Sequence, residues 1–260
     1  MRILFVGEIV AKLGRKAVKE VLPELISSDS IDLVIANAEN LAHGRGATKE
    51  TLNEMQSVGV DYFTGGDHIF WQKDFEEDAN DLPVVCPANF PEPFLGKPFA
   101  VIQKRGSKVA LLNLMGRTFM NENIDSPFQK VDHLLATVLP MQGINFPQDN
   151  ILIDFHAEAT SEKHAFANYV DGRVTAVLGT HTHIPTADPQ VLPKGTLFVS
   201  DVGMTGAVNS VLGVKTEIIV KQYTTARNQR FDWEEEGGAW FRSVLVDTAA
   251  NTISRLDRLV

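Results

Sequence analysis

Short apolar runs rich in Val, Ile, Leu and Phe recur along the chain, separated by more polar stretches with helical spacing. Residues 2–6, 32–37, 61–65, 83–86, 108–114, 151–155, 174–179 and 197–201 read as strands. Helical periodicity runs over 13–26, where Leu13, Ala17, Val21, Leu22 and Leu25 share one stripe, and over 48–58, 126–138 and 161–170. Thr48 reads as an N-cap, and Ser126-Pro127-Phe128-Gln129 as a capping box with proline at the first helical position. Strands alternating with helices predict a mostly parallel α/β sheet covered by helices. The pattern changes from residue 217 to 258. Residues 218–222, 239–247 and 252–258 read as strands of a meander, joined around the acidic turn Trp233-Glu234-Glu235-Glu236-Gly237-Gly238. No linker, low-complexity tract or repeat interrupts the chain, so residues 1–260 read as one domain.

The polar residues that follow the strands carry the chemistry. Gly7-Glu8 follows the first strand, Ala38-Glu39-Asn40 the second and Gly66-Asp67-His68 the third. His156 follows the strand 151–155, and Thr180-His181-Thr182-His183 follows 174–179. Ligands of α/β sheets bind at the carboxyl ends of the strands. Four of the seven histidines fall in this set, together with Glu8, Glu39, Asp67 and the Asn40 amide. Carboxylate plus imidazole is a ligand mix for Zn, Mn and Fe. An extended His-x-His segment turns both rings to one side, since side chains alternate with period two. Such a pair can reach two metal ions, with Glu39 bridging them. Taken singly, Glu8 reads as a loop residue and His156 as a core histidine; the joint pattern reads as a metal site. His133 and His164 lie on predicted helices away from it, Cys86 reads as core and Trp71 as a packing residue.

Composition narrows the class. The 260 residues are 44% hydrophobic and 22% charged, as in an ordinary globular chain. A net charge of −9 argues against a broad nucleic-acid surface, which needs clustered Lys and Arg, but leaves room for a phosphate substrate if metal ions supply positive charge. One cysteine excludes an intrachain disulfide. With no apolar run of membrane-spanning length and no signal-peptide pattern, a cytoplasmic protein without membrane association is expected.

The order Gly-Glu, Glu-Asn, Gly-Asp-His, an isolated His and Gly-x-His-x-His resembles the calcineurin-like metallophosphoesterases. Longer strings narrow the resemblance to the YmdB-type family: AENLAHGRG (38–46), PANFPE (87–92), GRTF (116–119), DFHAEATSEK (154–163), GTHTH (179–183), TAD (186–188), LPKGT (192–196) and DVGMTG (201–206). The resemblance runs to about Lys221 and is weakest over the acidic C-terminal hairpin.

The resemblance implies a four-layer α/β/β/α sandwich and a metal-dependent phosphodiesterase that hydrolyses 2′,3′-cyclic nucleotides or related phosphodiesters, with a hydroxide bridging two metal ions. Carried over by position, Glu8, Glu39, Asn40 and His183 hold the first ion. Glu39, Asp67, His156 and His181 hold the second. His68 is the acid–base residue. Iron is the first expectation for both ions, then manganese or zinc. Two positions depart from the family pattern, which has Asp at Glu8 and Asn at Asp67. The extra charge of Asp67 should tighten metal binding and repel an anionic substrate. His43, Arg117 and Thr118 are candidate substrate contacts. The competing readings are a weakly active or inactive metal- or nucleotide-binding regulatory protein and a metallophosphomonoesterase; a homo-oligomer is compatible with all three.

Overall fold

The computed structural model describes every residue except Phe94. In chain order, the first elements are β1 (Arg2–Val6), α1 (Ala11–Ser28), β2 (Leu33–Asn37), α2 (Lys49–Gln56), β3 (Tyr62–Thr64), α3 (Lys73–Asp78) and β4 (Val84–Val85). There follow β5 (Phe99–Lys104), β6 (Ser107–Met115), α4 (Pro127–His133), α5 (Leu139–Met141), β7 (Asn150–His156), α6 (Thr160–Tyr169) and β8 (Ala176–Thr180). The last third holds β9 (Gln190–Val191), β10 (Leu197–Val199), β11 (Gly206–Ala207), α7 (Thr216–Thr225), β12 (Ala239–Phe241), β13 (Ser243–Asp247), β14 (Thr252–Arg255) and β15 (Arg258–Leu259).

Two six-stranded sheets form, in the orders β14-β13-β1-β2-β3-β4 and β5-β6-β7-β8-β10-β9, with a small third sheet β11-β12-β15. Strands β1 to β4 are mutually parallel, as are β6, β7, β8 and β10; β13 runs antiparallel between β14 and β1, and β5 and β9 are antiparallel edges of the second sheet. Alternation along each strand decides which layer a residue enters. In β1, Ile3 and Phe5 join Leu111, Leu152 and Leu178 in the core between the sheets. Leu4 and Val6 face the other way, against Leu13, Ala17 and Leu22 of α1. On the outer face of the second sheet, Leu112, Ile153 and Phe155 pack on Val131 of α4 and Phe166 of α6. This is the four-layer α/β/β/α sandwich. Each fully buried Leu, Ile or Phe contributes about 1.5–3 kcal/mol.

The predicted strands and helices occur with shifted ends, and three local expectations are corrected. Residues 218–222 lie inside helix α7, not in a strand. The β-branched run Ile218-Ile219-Val220 mimics a strand, but only Ile219 of this helix is buried, as on a helix packed along one edge. The expected strand 239–247 is broken at Arg242 into β12 and β13, which belong to different sheets. Ser126 makes no side-chain cap bond, although Pro127 does open the helix. Thr48 does cap α2, accepting from the Thr51 amide at 3.2 Å. Trp71, read as a packing residue, is 56% exposed and packs its ring against Arg45 and His68. Among the described residues, no helix is long and apolar enough to cross a membrane.

Candidate metal centre

The carboxyl ends of β1, β2, β3, β7 and β8 meet where the two sheets come together. There Glu39, Asp67, His156 and His181 each offer a donor atom, all within 4.8 Å of one another. His156 Nε2 lies 2.9 Å from Asp67 Oδ1, 3.1 Å from His181 Nδ1 and 3.2 Å from Glu39 Oε2. Burial opposes charge on Glu39, but the facing His156 outweighs it and holds that carboxyl at about 2. Asp67 is held well below the usual range: burial is overcome by the hydrogen bonds of His156 and His181. His156 is correspondingly raised well above its ordinary value despite complete burial, by Glu39 and Asp67. The negative charge that holds a proton on His156 equally attracts a cation.

A buried network sets the His156 ring. The Thr180 hydroxyl donates to Asp154 Oδ1 at 2.6 Å, so its oxygen accepts from His156 Nδ1 at 2.9 Å. Thr64 and Asn37 donate to the other Asp154 oxygen, at 2.5 and 3.0 Å. With one hydrogen committed at Nδ1, it is the Nε2 proton, shared with Asp67 and Glu39, that a metal ion would displace, leaving the Nε2 lone pair that metal-bound histidines use.

Glu8, Asn40 and His183 form a second group beside the first. Asn40 Nδ2 donates to the Gly44 carbonyl at 3.0 Å, which turns Oδ1 toward His183 Nε2 at 3.1 Å. The desolvated His183 ring has a lowered pKa, and its Nδ1 faces the Leu212 carbonyl at 3.4 Å. With its hydrogen on Nε2 the ring donates to Asn40 Oδ1; with the hydrogen on Nδ1, toward Leu212, Nε2 and Oδ1 are two acceptors that a cation can bridge. Glu8 Oε1 accepts from the His181 amide, while Oε2 is buried without a hydrogen-bond partner. Burial, reinforced by Asp201, pushes the Glu8 carboxyl up to about 8. Carboxylate, imidazole and amide donors are those of Fe, Mn and Zn sites. This donor chemistry and the orphaned Glu8 oxygen fit metal binding.

The His-x-His segment is not extended, contrary to the sequence expectation. Strand β8 ends at Thr180, and His181 and His183 both have positive φ, 100° and 65°. Asp201 causes the turn: its Oδ2 accepts from both the amide and the hydroxyl of Thr182, at 3.1 and 2.8 Å. The two rings thus serve different groups, His181 facing His156 and His183 facing Asn40.

His68 lies beside both carboxylates, with Nδ1 3.4 Å from Asp67 Oδ2 and 3.7 Å from Glu39 Oε1. Partial burial lowers its pKa, but Glu39 and Asp67 more than offset this and raise it above 6.5. A cavity of about 350 Å³ opens over Glu39, Asn40, His68, His181 and His183. His43, Arg117 and Thr118 do not line it. His43 is exposed in a left-handed turn, and the exposed Arg117 and Thr118 are held by their amides on the Glu162 carboxylate, at 2.9–3.0 Å. Arg45, two residues past His43, does line it, as does Glu158, whose Oε2 is 3.2 Å from His181 Nε2. Both lie inside strings noted in the sequence, but neither follows a strand directly, so the strand-end reasoning passed over them.

The family model of the YmdB-like protein matches residues 4–258. A Bacillus subtilis (strain 168) relative named 2′,3′-cyclic-nucleotide 2′-phosphodiesterase is 42% identical over 95% of this chain and 91% of its own. A crystal structure of a hypothetical protein from Thermus thermophilus superposes with a TM-score of 0.90 at 38% identity, covering 100% of this chain and 99% of that one. A Mycoplasma pneumoniae structure described as a novel phosphatase gives 0.89 at 31% identity, over 100% of this chain and 93% of that one.

Proposed function

The chain belongs to the YmdB-like family of metallophosphoesterases, and on that footing we propose that it hydrolyses 2′,3′-cyclic nucleotides at this site. The observation that carries the reading is the four-donor cluster Glu39, Asp67, His156 and His181 in one cavity with His68. In this reading the four hold one metal ion, and Glu8, Glu39, Asn40 and His183 hold a second, with Glu39 shared. Metal ions held there would supply positive charge to the phosphoryl oxygens and lower the pKa of bound water toward neutrality.

The remaining work falls to the protein. Thr180 and Asp154 keep the His156 ring oriented, and Asp201 and Glu8 hold the turn that separates His181 from His183. His68 donates a proton to the departing sugar oxygen. Its Nδ1 is turned to the carboxylates, which leaves the other ring nitrogen for the leaving group.

The test is elemental analysis of protein purified without chelators, alongside turnover of 2′,3′-cyclic AMP and bis-p-nitrophenyl phosphate. Two equivalents of Fe, Mn or Zn and turnover of both esters are expected. A fully loaded preparation holding one ion per chain would overturn the binuclear reading. His68→Ala should keep its metal and lose about 10²–10⁴-fold on the cyclic nucleotide, the usual worth of a general acid. It should lose far less on the p-nitrophenyl ester, whose leaving group barely needs a proton; equal losses would remove His68 from the proton-transfer role.

Asp67→Asn takes one negative charge from the donor set. The variant should retain metal less well on dialysis against chelator, yet turn over cyclic nucleotide faster at saturating metal, because the anionic ester is less repelled. Slower turnover at saturating metal would show instead that Glu8 and Asp67 are adapted to each other.

A further inference from the structure

Away from its carboxylates and imidazoles, the cavity changes character. Helix α7 turns Ile219, Gln222 and Tyr223 into it, the i, i+3, i+4 set of one helix face. Phe231 and Trp233 line it from the segment that follows. Trp233 is fixed in place: its backbone bridges to Val214, and a Cβ added to Gly44 would stand 2.0 Å from the indole ring. The Arg45 guanidinium carbon lies 4.6 Å from the Trp71 ring centre and 5.4 Å from that of Phe231. Among the described residues, no carboxylate forms an ion pair with Arg45. Tyr223 is 81% exposed at the mouth. The aromatic wall, sharing one cavity with the metal-ligand candidates, offers no donor to a metal ion and no group that transfers a proton to a leaving sugar oxygen.

We propose that this wall is a nucleobase subsite. The base of a nucleoside 2′,3′-cyclic phosphate packs its face on Phe231 and Tyr223, with Arg45 and Gln222 offering polar groups to its edge. The inference rests on the cyclic-nucleotide reading above. In such a substrate the base and the cyclic phosphate are carried by one ribose ring, so a phosphate held at the carboxylate–histidine end places the base within the same cavity. The 350 Å³ volume and mixed apolar and polar lining are those of a small-molecule site. Stacking tolerates any base, so the subsite distinguishes nucleotides from base-free phosphodiesters rather than one base from another.

The experiment compares 2′,3′-cyclic AMP with methyl ribofuranoside 2,3-cyclic phosphate, which has the same reacting ring and no base, on metal-saturated wild type, Phe231→Ala and Tyr223→Ala. Loss of a stacking partner should raise KM for cyclic AMP about 5- to 150-fold, with kcat and the base-free ester nearly unchanged. Equal shifts for both esters, or none, would overturn the subsite. The exposed Tyr223 supplies a variant whose folding is not at stake. Calorimetric titration of adenosine into chelator-treated protein separates this inference from the catalytic one. If wild type hydrolyses neither ester but adenosine binds and the two variants weaken it, the subsite stands and the catalytic reading falls. If adenosine does not bind, or binds all three proteins equally, the subsite falls.

Discussion

Glu39→Gln should leave a folded protein that holds neither metal ion and has no measurable phosphodiester turnover. The side chain is almost wholly buried, with Oε2 3.2 Å from His156 Nε2 and accepting from the His68 amide at 3.2 Å. Gln has the same shape, so the change removes charge with little change in volume. The carboxyl sits at about 2, so the charge removed is present across the working pH range. Loss of residues that merely orient a ligand costs 10–100-fold in metal affinity, so losing a ligand proposed to serve both ions should cost more than about 10²-fold for each. Elemental analysis after dialysis, with a melting curve to show that the fold persists, checks the result. Wild-type metal content in Glu39→Gln would remove Glu39 from the centre.

The second large effect lies behind the site. Lys163 and Asp201 are each 1% exposed and form an ion pair at 2.7 Å, and Lys163 also donates to the Thr180 carbonyl at 2.7 Å. Asp201 accepts in addition from Thr182 and from the Gly203 amide at 2.8 Å. Lys163→Met leaves a buried, uncompensated carboxylate, which costs about 3–5 kcal/mol. For a chain of this size that lowers Tm by roughly 6–20 °C. Because Asp201 ties down the residue between His181 and His183, metal retention should fall as well. The double variant Lys163→Met with Asp201→Asn should recover part of the lost stability, since removing both charges leaves none stranded. A single variant that melts with wild type would show that the pair contributes nothing.

Neither residue of that pair stood out in the chain. Lys163 and Asp201 sit in the strings 154–163 and 201–206, but nothing in a Lys on a helix face signals complete burial against a carboxylate 38 residues away. Arg45 was passed over for its neighbour His43, because a histidine suggests chemistry while an arginine in a glycine-rich loop suggests solvent. Trp71 reads as a packing residue, and its partner is Arg45, at 4.6 Å from the ring centre. Residues 231–233 belong to a stretch with no strong periodicity, and the helix that carries Tyr223 was masked by its β-branched run. The aromatic half of the cavity was therefore invisible, while the strand ends named the residues of the carboxylate–histidine half apart from Glu158.

That division follows from what each kind of information encodes. Alternation in β1 or β7 and the stripe on α1 are local, so the sequence by itself determined the parallel α/β character, the strand ends and the residue types collected there, while the four layers came from the family resemblance. The meeting of those ends depends on how two sheets close on each other. His183 reaches Asn40 across 143 residues, and the His181 amide reaches Glu8 across 173. The turn that sends the two rings to different groups is imposed by Asp201 against the local preference for negative φ, and no period along the chain records such a constraint. Only the tertiary structure decided which donors face one another, which carboxyls are raised or lowered, and which aromatic rings share their cavity, because those properties come from burial and contact between segments distant in sequence.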